Sequence, residues 1–329
     1  MGAGIMTAIY VLKKGAKASR KGRRVIVEHN NAEIQSVPIN YVHSIVLGEG
    51  THISTPLMEL MLEEDIPIYF IDFFGKVKGQ VYNDNTSWFR SKCQMERFME
   101  HDSQIGLIQL VLGEKLNNQY NLLKYYARYK QDLEIGQYAS DIRRIRKELN
   151  EIDDVEIFRG MEGMASKKYF GAFELILDTE VWGWKGRSRR PARDPANALL
   201  NYAYAFLERE VRTAIVGAGL DPRFGFFHSN NGRKDSLVFD LMELFRQNVI
   251  DRRVLSTINH NRINPNEFEN DENMGWRVGA DLKRTWINIY EDYMNRQYQE
   301  YEGGTPREWI RKKIMEFAKI IFKGAVDVA

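Results

Sequence analysis

A chain of 329 residues, 43 % hydrophobic and 28 % charged, is long enough for two domains with sizeable cores and has the balance of an ordinary globular protein. Its 47 Lys and Arg nearly cancel its 45 Asp and Glu, for a formal net charge of +2, so any affinity for nucleic acid has to come from where the charges lie. A single cysteine, Cys93, excludes an internal disulfide and a Cys-type zinc site.

No basic-then-apolar segment opens the chain, and the longest apolar run, IPIYFIDFF at 66–74, is too short to span a bilayer. A cytoplasmic protein is expected. Residues 7–13, 23–29, 43–47, 66–72 and 76–82 are β-branched or aromatic runs separated by Gly, Asn and Pro, and read as strands. One helix interrupts them at 55–65, with Thr55 as N-cap and Pro56 at the first helical position. The basic run KASRKGRR (17–24) lies between two strands and reads as a charged hairpin tip. Beyond about residue 88 apolar residues recur at three and four, as in Leu107, Leu110, Val111 and Leu122, Leu123, Tyr126. In GGTPREWIRKKI, Thr305, Pro306 and Glu308 supply an N-cap, a first-turn proline and a capping-box acid. The expected fold class is α+β with two domains: a small N-terminal β-rich domain (1–87) followed by a larger all-α C-terminal domain (88–329).

The stretch FGFFHSNNGRKDSLVFDLMELFR (224–246) carries the first chemical signal. An apolar run ends in His228, a polar loop follows, and a helix is expected from near Ser236. At about 100° per residue Leu237, Val238, Leu241, Met242, Leu244 and Phe245 share its apolar face, with Asp240 and Glu243 on the adjacent stripe. Two carboxylates one turn apart repel unless a cation or proton relieves them. They are either solvated surface acids beside a loop histidine, or part of a divalent-metal site of one imidazole and carboxylates, which suits Mn²⁺ or Mg²⁺. A third ligand is then needed. Glu162, in FRGMEGMASKKYFGAF (158–173), lies on the face of Phe158, Ala165 and Tyr169, with glycines at 160 and 163. A glutamate there needs a partner, either a metal ion or a nearby arginine.

The second signal is basic. WGWKGRSRRPARDPANALLNYAYAFL (182–207) places Lys185, Arg187, Arg189, Arg190 and Arg193 within nine residues, ahead of a helix from about Pro195 rich in alanine. Such a run is either a solvated loop or a phosphate-binding surface. Five phosphate contacts would give a log–log salt slope of roughly −4 to −5.

Taken together, GMEGMASKKYF, DPANALLNYAYAFLEREVRTAIVGAGLDPRFGFFH and SLVFDLMELFR resemble the three signature blocks of the CRISPR-associated adaptation integrase, the universal subunit of spacer acquisition. The β-rich start is similar to that family's N-terminal domain. The resemblance implies that Glu162, His228 and Glu243 are catalytic metal ligands for Mg²⁺ or Mn²⁺, with Asp240 a supporting acid. It implies a DNA endonuclease and integrase that inserts spacer DNA by 3′-hydroxyl attack on repeat phosphodiesters. Asn197 and Arg246 match recurrent polar positions near the site. With Tyr169, whose hydroxyl could face DNA, with Arg233 and with the five basic residues above, they form the expected DNA-binding set. The implied partners are double-stranded DNA, both incoming spacer and CRISPR repeat, a second copy of the chain joined through the β domain, and a small ferredoxin-like CRISPR-associated protein. The competing readings are a metal-dependent nuclease that only hydrolyses, a non-enzymatic DNA-binding scaffold, and a helical phosphohydrolase acting on nucleotides.

Overall fold

The computed structural model describes residues 6–83, 87–228 and 235–323. Two compact units divide the chain: the first runs to Asn85 and takes in Arg284–Trp309, and the second holds Thr86–Lys283 and the chain from Ile310 onward.

The first unit is built on strands. β1 (Thr7–Val11), β2 (Lys17–Lys21), β3 (Arg24–His29), β4 (Ala32–Pro38), β5 (Val42–Leu47) and β6 (His52–Ile53) are followed by α1 (Thr55–Glu63), β7 (Ile68–Ile71) and β8 (Val77–Val81). One sheet has the order β1-β5-β7-β8 and the other β4-β3-β2-β6. β5 is buried along its whole length, as a central strand flanked by parallel neighbours should be. Ile9, Val11, Val25, Val27, Ile45, Leu47 and Leu57 form a common core. KASRK is itself a strand, β2, paired antiparallel with β3. The turn of that hairpin falls at Gly22, where φ is +60°, a conformation glycine adopts without strain. Ser54, not Thr55, is the N-cap of α1. Residues 284–309, expected in the helical domain, group with the strands: Tyr10 Oη donates to Glu291 Oε1 at 2.9 Å, and Arg307 donates to the Met6 carbonyl at 2.9 Å.

The second unit is mostly helical. It holds α2 (Trp88–Met99), α3 (His101–Lys130), α4 (Leu133–Glu148), α5 (Val155–Gly171), α6 (Phe173–Ile176), α7 (Thr179–Trp182), α8 (Pro195–Gly217), α9 (Ser236–Met242) and α10 (Arg252–Asn259). It is not all-α. β9 (Phe268–Asp271) and β10 (Gly275–Val278) form an antiparallel hairpin. Asp271 Oδ1 accepts the N–H groups of Asn273 and Met274 at 2.9 and 3.0 Å, which shapes the turn. α11 (Ala280–Asn295) and α12 (Pro306–Ile321) complete the fold. The capping box of α12 is present: Thr305 N–H donates to Glu308 Oε2 at 2.8 Å and Glu308 N–H to Thr305 Oγ1 at 3.2 Å. Among the described residues no helix is long and apolar enough to cross a membrane.

Candidate active site

All the elements that form the site belong to the second unit. The segment leading to His228 has no regular structure, so its backbone needs partners from neighbouring helices. Gln94 on α2, fully buried, donates to the carbonyls of Asp221 and Phe224 at 2.8 and 3.0 Å and accepts from Asp221 N–H at 2.8 Å. Gln104 on α3 donates to the Phe226 carbonyl at 2.7 Å. Asp240, on α9 and 0 % exposed, accepts the N–H groups of Phe226, Phe227 and His228 at 2.7, 3.1 and 2.8 Å. Its Oδ1 also lies 2.6 Å from His228 Nδ1. With the proton placed on Nδ1, Nε2 is left as the acceptor nitrogen. The imidazole side chain is 43 % exposed. The loop after His228, with Arg233, lies outside the described residues.

α9 ends at Met242, so Glu243 stands at its C-cap and not within it. α5 begins on the Asp154 side chain, which accepts from Glu156 and Ile157 N–H at 2.7 and 3.2 Å. It buries Phe158, Met161, Ala165 and Tyr169, and this seating puts Glu162 at the edge of the buried face. The charged side chain that meets Glu162 is not an arginine. It is Lys115 of α3, whose side chain is 5 % exposed and whose ammonium makes a short contact with Glu162 Oε1 and lies 2.9 Å from Glu243 Oε2. Ser166 Oγ donates to Glu162 Oε1 at 3.1 Å, and Arg246 Nε donates to Glu243 Oε1 at 3.0 Å.

Burial would push the Glu243 carboxyl up, but Arg246 and Lys115, with a smaller contribution from His228, hold it down at about 2. The same carboxylates raise the Lys115 ammonium above its ordinary value although burial lowers it. Glu243 Oε2 is buried, and among the described residues the Lys115 ammonium meets it at 2.9 Å.

Behind this pair lies a second layer. The π-helical segment Arg246–Asp251 places Asp251, fully buried, where Tyr169 Oη and Tyr204 Oη donate to it at 2.8 and 2.5 Å. Burial pushes Asp251 up to about 6, against the pull of both hydroxyls and of Arg246 and Arg187. The two guanidiniums lie over the Tyr204 ring, Arg246 at 4.8 Å and Arg187 at 5.5 Å from its centroid. Arg187 also donates to Asn197 Oδ1 at 2.8 Å and Asn201 Oδ1 at 2.7 Å, one turn apart on α8.

Glu162, Glu243, Lys115, Arg246, Arg187 and Arg189 open onto one cleft of ≈ 910 Å³. Lys185 and Arg193 line a neighbouring hollow of ≈ 530 Å³ that Arg187 shares. Arg190 is exposed on the same loop. Two expected DNA contacts are corrected. Asn197 is 0 % exposed and spends its amide on Arg187, the Ser188 N–H, the Gly186 carbonyl and Asp194, so it shapes the basic loop. The Tyr169 hydroxyl is turned inward to Asp251. Of the three expected metal ligands, Glu162 and Glu243 meet across Lys115 and His228 sits on Asp240. Among the described residues no three His, Cys, Asp or Glu side chains gather around one point. Lys115, Asp251 and Tyr204 were not expected from the sequence.

A family model described as CRISPR associated protein Cas1 matches residues 9–292. The chain is 31 % identical over 321 residues to the CRISPR-associated endonuclease Cas1 1 of Archaeoglobus fulgidus, covering 91 % of this chain and 87 % of that protein. It is 26 % identical over 294 residues to a CRISPR-associated exonuclease Cas4/endonuclease Cas1 fusion of Leptospira interrogans, covering 87 % of this chain and 54 % of the fusion, about half its length. In fold it is similar to a casposase bound to an integration product, with a TM-score of 0.85 and 21 % identity over 97 % of this chain and 91 % of that one. It is similar also to a chain of a Cas6-RT-Cas1–Cas2 complex, with a TM-score of 0.81 and 20 % identity over 98 % of this chain and 35 % of the other.

Proposed function

The chain belongs to the CRISPR-associated Cas1 family, and from that premise we propose that it is a divalent-metal-dependent DNA endonuclease and integrase of CRISPR adaptation. In this reading it joins the 3′-hydroxyl of incoming spacer DNA to a phosphodiester of the CRISPR repeat. The observation that carries it is the carboxylate pair Glu162 and Glu243 set among guanidiniums in one cleft.

Glu162, Glu243 and His228 would hold Mg²⁺ or Mn²⁺. The fit rests on two carboxylates that already share one cation, on a carboxyl held ionised at about 2, and on an imidazole oriented by a buried carboxylate. All are hard or borderline donors suited to these ions. A bound ion of this kind supplies charge neutralisation at the scissile phosphate and helps orient the attacking oxygen.

The protein's own residues do the rest. Arg187, Arg189 and Arg246 draw phosphate oxygens into the cleft and fix their spacing. Tyr204 and the two asparagines hold Arg187 in place, and Asp240 fixes the imidazole and its approach. No side chain need attach covalently to DNA, since the hydroxyl of one strand displaces the oxygen of another at phosphorus.

The partners in this reading are double-stranded DNA, a second copy through the β-rich domain, and a small ferredoxin-like partner. The casposase with its integration product and the Cas1–Cas2 complex among the fold neighbours support DNA and a CRISPR-associated protein as partners. The test compares wild type and Glu162→Ala for binding and for chemistry on repeat DNA with Mn²⁺. Loss of chemistry with binding retained is expected. Unchanged chemistry would remove Glu162 from the site, and hydrolysis without joined strands in wild type would favour a nuclease.

A further inference from the structure

α3 carries one polar stripe on its buried side. Lys115, Asn118 and Gln119 are 4 %, 4 % and 1 % exposed, and their spacing of three and four puts them on one face. Asn118 braces the neighbouring backbone, its Nδ2 donating to the Leu244 carbonyl at 3.1 Å, beside Glu243. Lys115 and Gln119 line the cleft, as does Gln247. The amide oxygens of Gln119 and Gln247 are buried without a hydrogen-bond partner among the described residues. Buried acceptors are seldom left so, because each lost hydrogen bond is costly. Two of them on residues that line one cleft with a buried ammonium need an explanation.

The Lys115 ammonium stands between Glu162 Oε1 and Glu243 Oε2, where the two carboxylates would share a cation. Resting on the metal reading above, we infer that Lys115 is a tethered placeholder. It holds the carboxylate pair together before a divalent ion arrives, yields that position to the ion, and then donates to the waiting oxygens of Gln119 and Gln247. Gln119 is one turn along the same helix, so the move needs only side-chain rotation. Charge argues the same way. Lys115, Arg246, Glu162 and Glu243 sum to zero, so a divalent ion gains no net attraction from the cluster while the ammonium stays between the carboxylates. Lys115 is thus a positioning residue that sets how readily the metal loads.

Mn²⁺ binding to the full chain without DNA, read from the electron paramagnetic resonance of the free ion, tests this without turnover. Lys115→Gln keeps a donor and removes the charge, and Lys115→Met keeps the length. Each is expected to bind Mn²⁺ at least about tenfold more tightly than wild type, and to lose thermal stability in chelator that Mn²⁺ restores. Gln119→Leu alone is expected to weaken Mn²⁺ binding severalfold, because the displaced ammonium loses its acceptor. It should have no effect on top of Lys115→Gln. The Gln119→Leu measurement carries the test should both Lys115 variants fail to fold. Glu162-dependent binding of equal strength in wild type and all these variants overturns the placeholder. Binding that Glu162→Gln does not alter in any background overturns the metal reading beneath it.

Discussion

His228 Nδ1 lies 2.6 Å from Asp240 Oδ1, and the same buried carboxyl accepts three consecutive backbone N–H groups. One side chain therefore fixes both the path of the loop and the ring of its terminal histidine. Asp240→Asn leaves one good acceptor and turns an N–H₂ toward backbone donors. It is expected to destabilise the protein by about 2–4 kcal/mol, the loss of one or two charge-assisted hydrogen bonds. Strand transfer should fall about 10–100-fold, as for removal of a group that orients a metal ligand. Denaturant melts, and kinetics well below the midpoint, separate the two effects. Full activity in a folded variant would sink the orienting role.

Gly225 exists for the same carboxylate. A Cβ there would lie 2.5 Å from Asp240 Oδ2 and 2.8 Å from Ser236 Cβ. Gly225→Ala is expected to cost about 1–3 kcal/mol by overpacking. Gly160 on α5 is the control: a Cβ there meets nothing within 4 Å, so Gly160→Ala should stabilise by up to about 1 kcal/mol through helix propensity. Equal melts for the two variants would contradict this.

Asp251 and Glu243 give opposite pH dependences. With its folded value raised to about 6, protonated Asp251 contributes stability that is complete below the unfolded value near 3.8 and is lost as pH rises through 6. The size is of order 3 kcal/mol. Glu243, held at about 2, contributes stability present above 4.5 and lost as pH falls toward 2. Asp251→Asn keeps an acceptor for both tyrosines. The stability of wild type relative to this variant should therefore decline between pH 4 and pH 7. A constant difference across that range would refute the raised value.

Arg189 is exposed at the cleft mouth, so its truncation should leave the fold intact. Arg189→Ala is expected to lower the log–log salt slope of DNA binding by about 0.9, one phosphate contact. An unchanged slope would place DNA elsewhere.

The strands at β1, β3, β5, β7 and β8 were legible because their runs carry β-branched or aromatic residues. β2 and β4 were not, since KASRK and AEIQSVP are largely exposed and carry no apolar alternation. The hairpin at 268–278 was hidden by an asparagine- and acid-rich sequence whose turn is shaped by the Asp271 side chain. Family membership was legible from three helical blocks. Lys115 was not, because a lysine in a long amphipathic helix usually faces water. Its signal was the stripe Lys115, Asn118, Gln119 on the same side as Leu112 and Leu116. For Asn197 and Tyr169 the family resemblance implies a polar group near the site, but not which way it points: both turn inward.

The most direct test of the proposed centre is strand transfer of a fluorescent duplex with free 3′-hydroxyls into a supercoiled repeat plasmid, with Mn²⁺ and the small partner, comparing wild type with His228→Ala. Joined product is expected from wild type and its loss in His228→Ala, with DNA binding retained. Equal joined product from both proteins would remove the histidine, and the centre built around it, from the chemistry.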